Sequence, residues 1–277
     1  NNLANDLAPF KVSSVTPVIV DAETTFLILN TTIQYDSTST TQTANDLESL
    51  VSASISNYNT ADLQTFNAPF RHSKLLGLID NTDTAILNNT TTVTLAKLFT
   101  PTISTSINYN LNFNNKFYNP HSGHNASGGG IIASTGFYLN NVTTTTYFFD
   151  DDGAGNLRTY SVVSGERVYL DTTAGTVDYV NGTIAINAII ITGVAAVDNS
   201  SSSQIRITVI PNSYDVTPVR NQILEIDLTN TTITAGVDAT AATGVGYTTT
   251  TSTAAGGTTT TTTTVTSTSS TPSSSAY

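Results

Sequence analysis

The stretch Gly175-Thr176-Val177-Asp178-Tyr179-Val180-Asn181-Gly182-Thr183-Ile184-Ala185-Ile186 reads as a β-hairpin. Strand-forming residues flank Asn181-Gly182, a dipeptide that suits the two positive φ angles of a type I′ turn. The same pattern recurs outward from it. A second hairpin is expected to turn at Asp152-Gly153-Ala154-Gly155-Asn156, joining Tyr147-Phe148-Phe149 to Leu157-Arg158-Thr159-Tyr160. The stretches 204–210 and 222–228 give further strands, the first alternating Ile205, Ile207 and Val209 with polar residues. Residues 105–238 therefore form an expected antiparallel β domain.

Toward the N-terminus a helical period appears as well. Residues 24–35 suggest a strand covered on both faces, with Phe26 and Ile28 on one side and Leu27 and Leu29 on the other. Thr43 then precedes Ala44-Asn45-Asp46, an N-cap with an acid three residues on, a weaker capping-box partner than Glu. Leu47, Leu50, Val51, Ser54, Ile55 and Tyr58 follow at helical spacing. A second helix fits 71–79, with Leu75, Leu76, Leu78 and Ile79 as its apolar side before the turn-forming Asp80-Asn81-Thr82-Asp83. Val93, Leu95 and Leu98 belong to a Thr-rich strand ending before Pro101. Together these make a β-α-α-β unit over 1–104. The expected fold class is α+β, dominated by β.

Residues 239–277 are a low-complexity Thr/Ser/Gly tail without a charged residue. Such a composition buries too little to offset its ordering entropy, so the expectation is that a partner orders it, by β-augmentation or in a groove.

Across the 277 residues only 10% are charged, against a usual figure of about 25%, and 9 basic against 20 acidic residues leave a net charge of −11. The chain as a whole lacks the positive field that phosphate neutralisation needs, which argues against nucleic acid as a partner. The most apolar run, 184–197, is too short and too interrupted to span a bilayer, so no membrane partner is expected. Without cysteine there is no disulfide framework and no thiolate metal site. Methionine is absent even at position 1, from which we expect the chain to be processed or part of a longer protein.

Candidate chemistry is sparse. Asp150-Asp151-Asp152-Gly153 invites a calcium loop, but the twelfth position is Ser161, not the bidentate acid that such a loop needs, and an acidic hairpin turn accounts for it better. His121-Ser122-Gly123-His124 offers two imidazoles with neither Cys nor nearby Glu to complete a zinc set. Gly128-Gly129-Gly130 lacks the Lys-Ser/Thr of a phosphate loop and fits a linker or bulge. The Asn-x-Ser/Thr triplets at Asn89, Asn125, Asn141, Asn181 and Asn230 follow from an Asn- and Thr-rich composition. No catalytic, cofactor-binding or metal-binding residue is assigned, and an enzyme is not expected.

Ser14-Val15-Thr16-Pro17-Val18-Ile19-Val20-Asp21, followed by Phe26-Leu27-Ile28-Leu29-Asn30, resembles the baseplate wedge protein of T-even-like contractile-tailed bacteriophages. So do the run from Phe70-Arg71-His72-Ser73 to Thr84-Ala85-Ile86, Asn114-Asn115-Lys116, Asp151-Asp152-Gly153, the 175–182 stretch and Pro218-Val219-Arg220-Asn221-Gln222-Ile223-Leu224. The resemblance covers roughly residues 10 to 235 in order and implies the C-terminal part of a longer protein. It also implies a structural role in the virion tail baseplate, after synthesis in the bacterial host cytoplasm. The partners so implied are copies of itself, as a dimer within a wedge and a ring between wedges, and other baseplate wedge proteins. The family has no catalytic residues to carry over.

Interfaces favour aromatics and exclude charge from their cores, which makes Tyr58, Phe66, Phe70, Phe137, Tyr138, Phe148 and Phe149 the candidate interface anchors, with ordinary intrachain core as the alternative for each. The rival function is an adhesin or receptor-binding β module, which would bind a glycan as an isolated domain. A tail-spike hydrolase would need paired carboxylates at a set separation, and no pair stands out.

Overall fold

A computed structural model describes residues 23–124, 130–197, 202–219 and 221–238, together with the backbone of 248–253 and 259–264. The 14–21 motif and most of the tail lie outside the described residues. The chain is strand-dominated, as expected, and it divides into two units, each drawn from three segments: 1–28, 59–71 and 93–227 in the first, and 29–58, 72–92 and 228–277 in the second.

The second unit contains both α-helices. Strand β1 (Glu23–Tyr35) alternates as its sequence requires, but asymmetrically: Leu27, Leu29, Ile33 and Tyr35 are buried while Phe26 and Ile28 are only half-covered. Helix α1 (Ala44–Tyr58) starts at the expected capping box, with Thr43 N donating to Asp46 Oδ2 at 2.9 Å and Asp46 N returning a bond to Thr43 Oγ1 at 3.3 Å. Asp46 thus does the work of Glu with a shorter arm, and the bond that its carboxylate accepts from Thr43 Oγ1 at 2.7 Å, followed by that from Thr43 N, holds it below the usual range. Leu47, Val51, Ile55 and Tyr58 form the buried stripe, while Leu50 turns outward. Helix α2 (His72–Asp80) buries Leu75 and Ile79. From it the His72 ring donates to the Thr91 carbonyl at 2.8 Å, on strand β2 (Ile86–Phe99). A buried hydroxyl pair, Thr31–Thr91 at 3.0 Å, adds to this unit.

The β-α-α-β order is therefore present, and later strands complete it. Strand β11 (Gln222–Ile226) runs parallel to 23–27 of β1, and β12 (Thr232–Val237) runs parallel to 30–35. These two parallel pairings depart from the expected antiparallel arrangement of 105–238. Strand β10 (Ile205–Val209) pairs antiparallel with 95–99 of β2 and, on its other edge, with β4 (Ile132–Ser134). Gln222, fully buried, locks β11 in the first unit by bonding to Thr25 Oγ1 and, at 3.2 Å, to the Phe113 carbonyl. A short π-helix, Asn59–Leu63, follows α1 in sequence. Its Asn59 imitates a strand neighbour, accepting from Ile226 N at 2.8 Å through Oδ1 and donating to Ile226 O at 3.4 Å through Nδ2.

The remainder of the first unit is an antiparallel β-barrel. Strands β5 (Phe137–Leu139), β6 (Val142–Asp151), β7 (Asn156–Val163), β8 (Glu166–Asp178) and β9 (Thr183–Val194) pair in succession, and β9 closes the ladder by pairing with both β8 and β5. Strand β3 (Ser106–Asn112) adds to β9. In the core, the Phe137 and Phe149 rings stack at 4.5 Å between centroids.

Turn chemistry corrects one reading. At the founding hairpin Asp178 pairs with Thr183, so the loop has four residues, and only Gly182 has positive φ (67°). The reason is Asp178: its carboxylate accepts from Val180 N at 2.9 Å and Asn181 N at 3.0 Å, which holds the longer turn. The two-residue loops with two positive φ angles sit elsewhere, at Asn140-Asn141 (55° and 59°) between β5 and β6 and at Ser164-Gly165 (54° and 86°) between β7 and β8. The 152–156 hairpin forms as expected, Asp151 pairing with Leu157.

Gly182 is a position where backbone geometry demands glycine. A Cβ there would lie 2.0 Å from the Asn115 carbonyl oxygen, in addition to the left-handed φ. Gly182→Ala is therefore expected to cost about 2 kcal/mol or more in a urea melt. Gly165→Asn, where nothing lies within 4 Å, should change stability by less than about 0.5 kcal/mol, since Asn tolerates positive φ. Equal effects at the two sites would contradict this account.

Strands β13 (Thr248–Thr253) and β14 (Thr259–Thr264) pair antiparallel with each other. Ordering of 239–277 by a partner otherwise falls on residues outside those described.

Candidate assembly surface

The first two of three consecutive aspartates end β6, the third opens the turn beyond it, and the three face different sets of donors. Alternation along the strand sends Asp150 and Asp151 to opposite faces, and both are buried. Asp150 Oδ1 accepts from Arg158 Nε at 2.9 Å, and its Oδ2 accepts from an Arg167 guanidinium nitrogen at 2.6 Å and from the Tyr169 hydroxyl at 2.9 Å. The guanidiniums also lie over aromatic rings, Arg158 above Tyr169 at 4.3 Å and Arg167 above Tyr160 at 4.6 Å. Burial, then the bond to Asp150, raises the Tyr169 phenol above its ordinary range.

Asp151 is a hub for the opposite face. Its Oδ1 takes Ile131 N at 2.7 Å and Ile132 N at 2.8 Å, and its Oδ2 takes the Tyr179 hydroxyl at 2.7 Å and Gly153 N at 3.2 Å. Burial first, and then the Asp151 carboxylate, push the Tyr179 phenol far up, so it stays protonated as a donor. Gly130, last of the three-glycine run, makes this approach possible: any Cβ there would fall 1.9 Å from Asp151 Oδ1. Asp152 stays local, accepting from Ala154 N at 2.7 Å, Asn156 N at 3.0 Å and Asn156 Nδ2 at 2.6 Å. The carboxylates thus diverge, each with donors already in place, which is the geometry of a structural corner. Among the described residues no three His, Asp or Glu side chains converge into a metal-binding group. His121 and His124 approach each other at 3.3 Å, Nε2 to Nδ1, with the His124 ring edge-on to Tyr118.

The seven candidate anchors separate by burial. Tyr58, Phe70, Phe137 and Phe149 are at most 2% exposed. Each is held within the chain: Tyr58 beneath the Lys74 ammonium, Phe70 in an antiparallel bridge with Val216, and Phe137 against Phe149. These four supply core. Tyr138 and Phe148 are half-buried, and Phe66 is 56% exposed.

The exposed apolar surface that aromatic content did not reveal lies on the β7–β8 hairpin. Val162, Val163, Val168 and Leu170 are 50–57% exposed. β8 pairs with β9 only through 175–178, opposite 183–186, and the two strands part beyond Gly175, whose lack of a Cβ lets Ala185 O approach. The aliphatic alternation Val168, Leu170 was visible in the sequence, but nothing local says that both flank an open edge.

Residues 23–98 match a family model described as baseplate structural protein gp6, C-terminal domain III. That span contains β1, α1, the π-helix, α2 and nearly all of β2. The match supports a structural role in a phage tail baseplate, in association with other baseplate components. No curated protein matches the chain.

Proposed function

We propose that the chain is a structural component of a baseplate wedge in a contractile phage tail, and that copies of it associate into the inner ring joining wedges around the hub. The observation that carries this reading is the match of 23–98 to a baseplate domain, over the segment in which strand, capped helix, second helix and strand follow in the order read from the sequence. The role is architectural. Its acidic groups at the most chemical-looking position are spent on internal hydrogen bonds, and charge is sparse elsewhere, as suits surfaces that bury against protein. Of the seven candidate anchors, Phe66, Tyr138 and Phe148 are left to contact partners. In a ring, an isologous contact pairs copies and a second, heterologous contact closes the circle.

Two measurements test this. Light scattering on the chain and on a chain ending at Asp238 should return masses that are multiples of the monomer mass, 29.1 kDa for the full chain. A strict monomer at all concentrations would remove self-association from the proposal. Antibody labelling of purified phage particles should mark the baseplate end of the tail, and labelling elsewhere would remove the baseplate role itself.

A further inference from the structure

We propose that the free edge of β8 is a two-fold contact that pairs with β8 of a second copy of this chain. The idea rests on the self-association proposed above and assigns it a surface.

β8 is paired along one edge with β7, from Glu166 to Thr176. On its other edge β9 covers only 175–178. Among the described residues no strand faces 166–173 on that side, and the Thr173 carbonyl is met there by the Asn187 side chain at 3.0 Å. Seven of these eight residues are exposed. An open edge of this kind is normally blunted by Lys or Pro or kept short. Here the sequence is Glu-Arg-Val-Tyr-Leu-Asp-Thr-Thr, with neither, its three charges being of both signs; it contains the exposed Val168 and Leu170, and Val162 and Val163 are exposed on the neighbouring β7.

Charge selects the occupant. A chain with net charge −11 repels its own copies in general, so a contact between copies must supply its own attraction. β8 carries Arg167 near one end of the free edge and Asp171 near the other. An antiparallel ladder across a two-fold axis centred near Tyr169 sets Arg167 of each copy against Asp171 of the other, twice per contact. The same register sets Val168 beside Leu170 of the second copy. Both charged groups keep capacity for this. The Arg167 side chain, though engaged by Asp150 and lying over the Tyr160 ring, is still 37% exposed, and Asp171 bonds to Thr173 through Oδ1. A two-fold axis makes the match self-complementary.

Beside the edge, where β8 and β9 part, lies a cavity of about 340 Å³ lined by Leu139, Leu170, Ala174 and Ile189. Thr159, 1% exposed, also lines it, and its buried Oγ1 has no hydrogen-bond partner. A strand laid along β8 covers this opening.

The test uses the absence of cysteine from the chain, so that any disulfide in a singly substituted protein joins two copies. Chains bearing Val168→Cys and chains bearing Leu170→Cys, mixed and oxidised, should give more crosslinked dimer than either alone, while Ala53→Cys on α1 gives none. Val168→Lys should weaken the dimer at least about tenfold by light scattering, leaving circular dichroism and melting nearly unchanged because Val168 is half exposed. A dimer indifferent to Val168→Lys, without the mixed crosslink, overturns the β8 assignment and leaves self-association standing on another surface. A chain monomeric up to about 100 µM overturns both.

Discussion

Replacing Asp151 by alanine is expected to lower stability by about 4 kcal/mol or more, among the largest effects of any single substitution in this chain. The side chain is fully buried and accepts four hydrogen bonds, from Ile131 N, Ile132 N, Gly153 N and the Tyr179 hydroxyl. Hydrogen bonds to charged groups contribute roughly 1.5–3 kcal/mol each, and a stranded buried donor costs roughly 1–3 kcal/mol. These terms do not add fully, but even half of them is a large share of a total of about 5–15 kcal/mol. A urea or thermal melt measures it, and a loss below about 1 kcal/mol would show that water replaces the carboxylate. The same hub predicts an alkaline limit. Tyr179 has its phenol raised from an ordinary value of 10.0. A raised pKa gives stability that is complete below the unfolded value and falls as pH climbs past it. The Tyr179–Asp151 bond should therefore support the fold at neutral pH and weaken only as pH rises above 10, a loss absent from Tyr179→Phe.

Asp150→Ala should cost about 3–5 kcal/mol, for a different reason. It removes the carboxylate that meets Arg158 Nε at 2.9 Å, and Arg158 is only 8% exposed, so a buried guanidinium loses that counter-charge. Removing both charges should be gentler than that logic suggests for either alone. In a double-mutant cycle, Asp150→Ala with Arg158→Met should recover roughly 2 kcal/mol relative to the sum of the single changes, because no uncompensated charge remains. Additivity within about 0.5 kcal/mol would mean that Arg167 and Tyr169, not Arg158, hold the corner together. Since Arg167 and Tyr169 belong to β8, the Asp150 cluster also anchors the strand proposed to meet a second copy.

How much of this was legible varies with distance along the chain. The Thr43–Asp46 capping box, the α1 stripe at Leu47, Val51 and Ile55, and the turn at Asp152–Asn156 were readable because each depends on neighbours within four or five residues. The 181–182 dipeptide misled, because the Asp178 carboxylate, three residues upstream, selected a longer loop than Asn-Gly alone favours. The candidate anchors were only partly separable. An aromatic is equally suited to core and to interface, and only packing told Phe137 and Phe149 apart from Phe66.

The sequence by itself determined the strand-dominated α+β class, the order strand, helix, helix, strand at the start, and the poverty of charge that argues for an architectural role. Only the tertiary structure decided that the strands within 222–237 run parallel to β1, that Gln222 meets Thr25 across 197 residues, that the three aspartates diverge, and that among the described residues no strand covers the second edge of β8 over 166–173. The physical reason is one of range. Periodicity and capping are set by interactions within a helical turn or a strand, whereas pairing partners and burial are set by which distant segments meet, and no local pattern encodes their meeting.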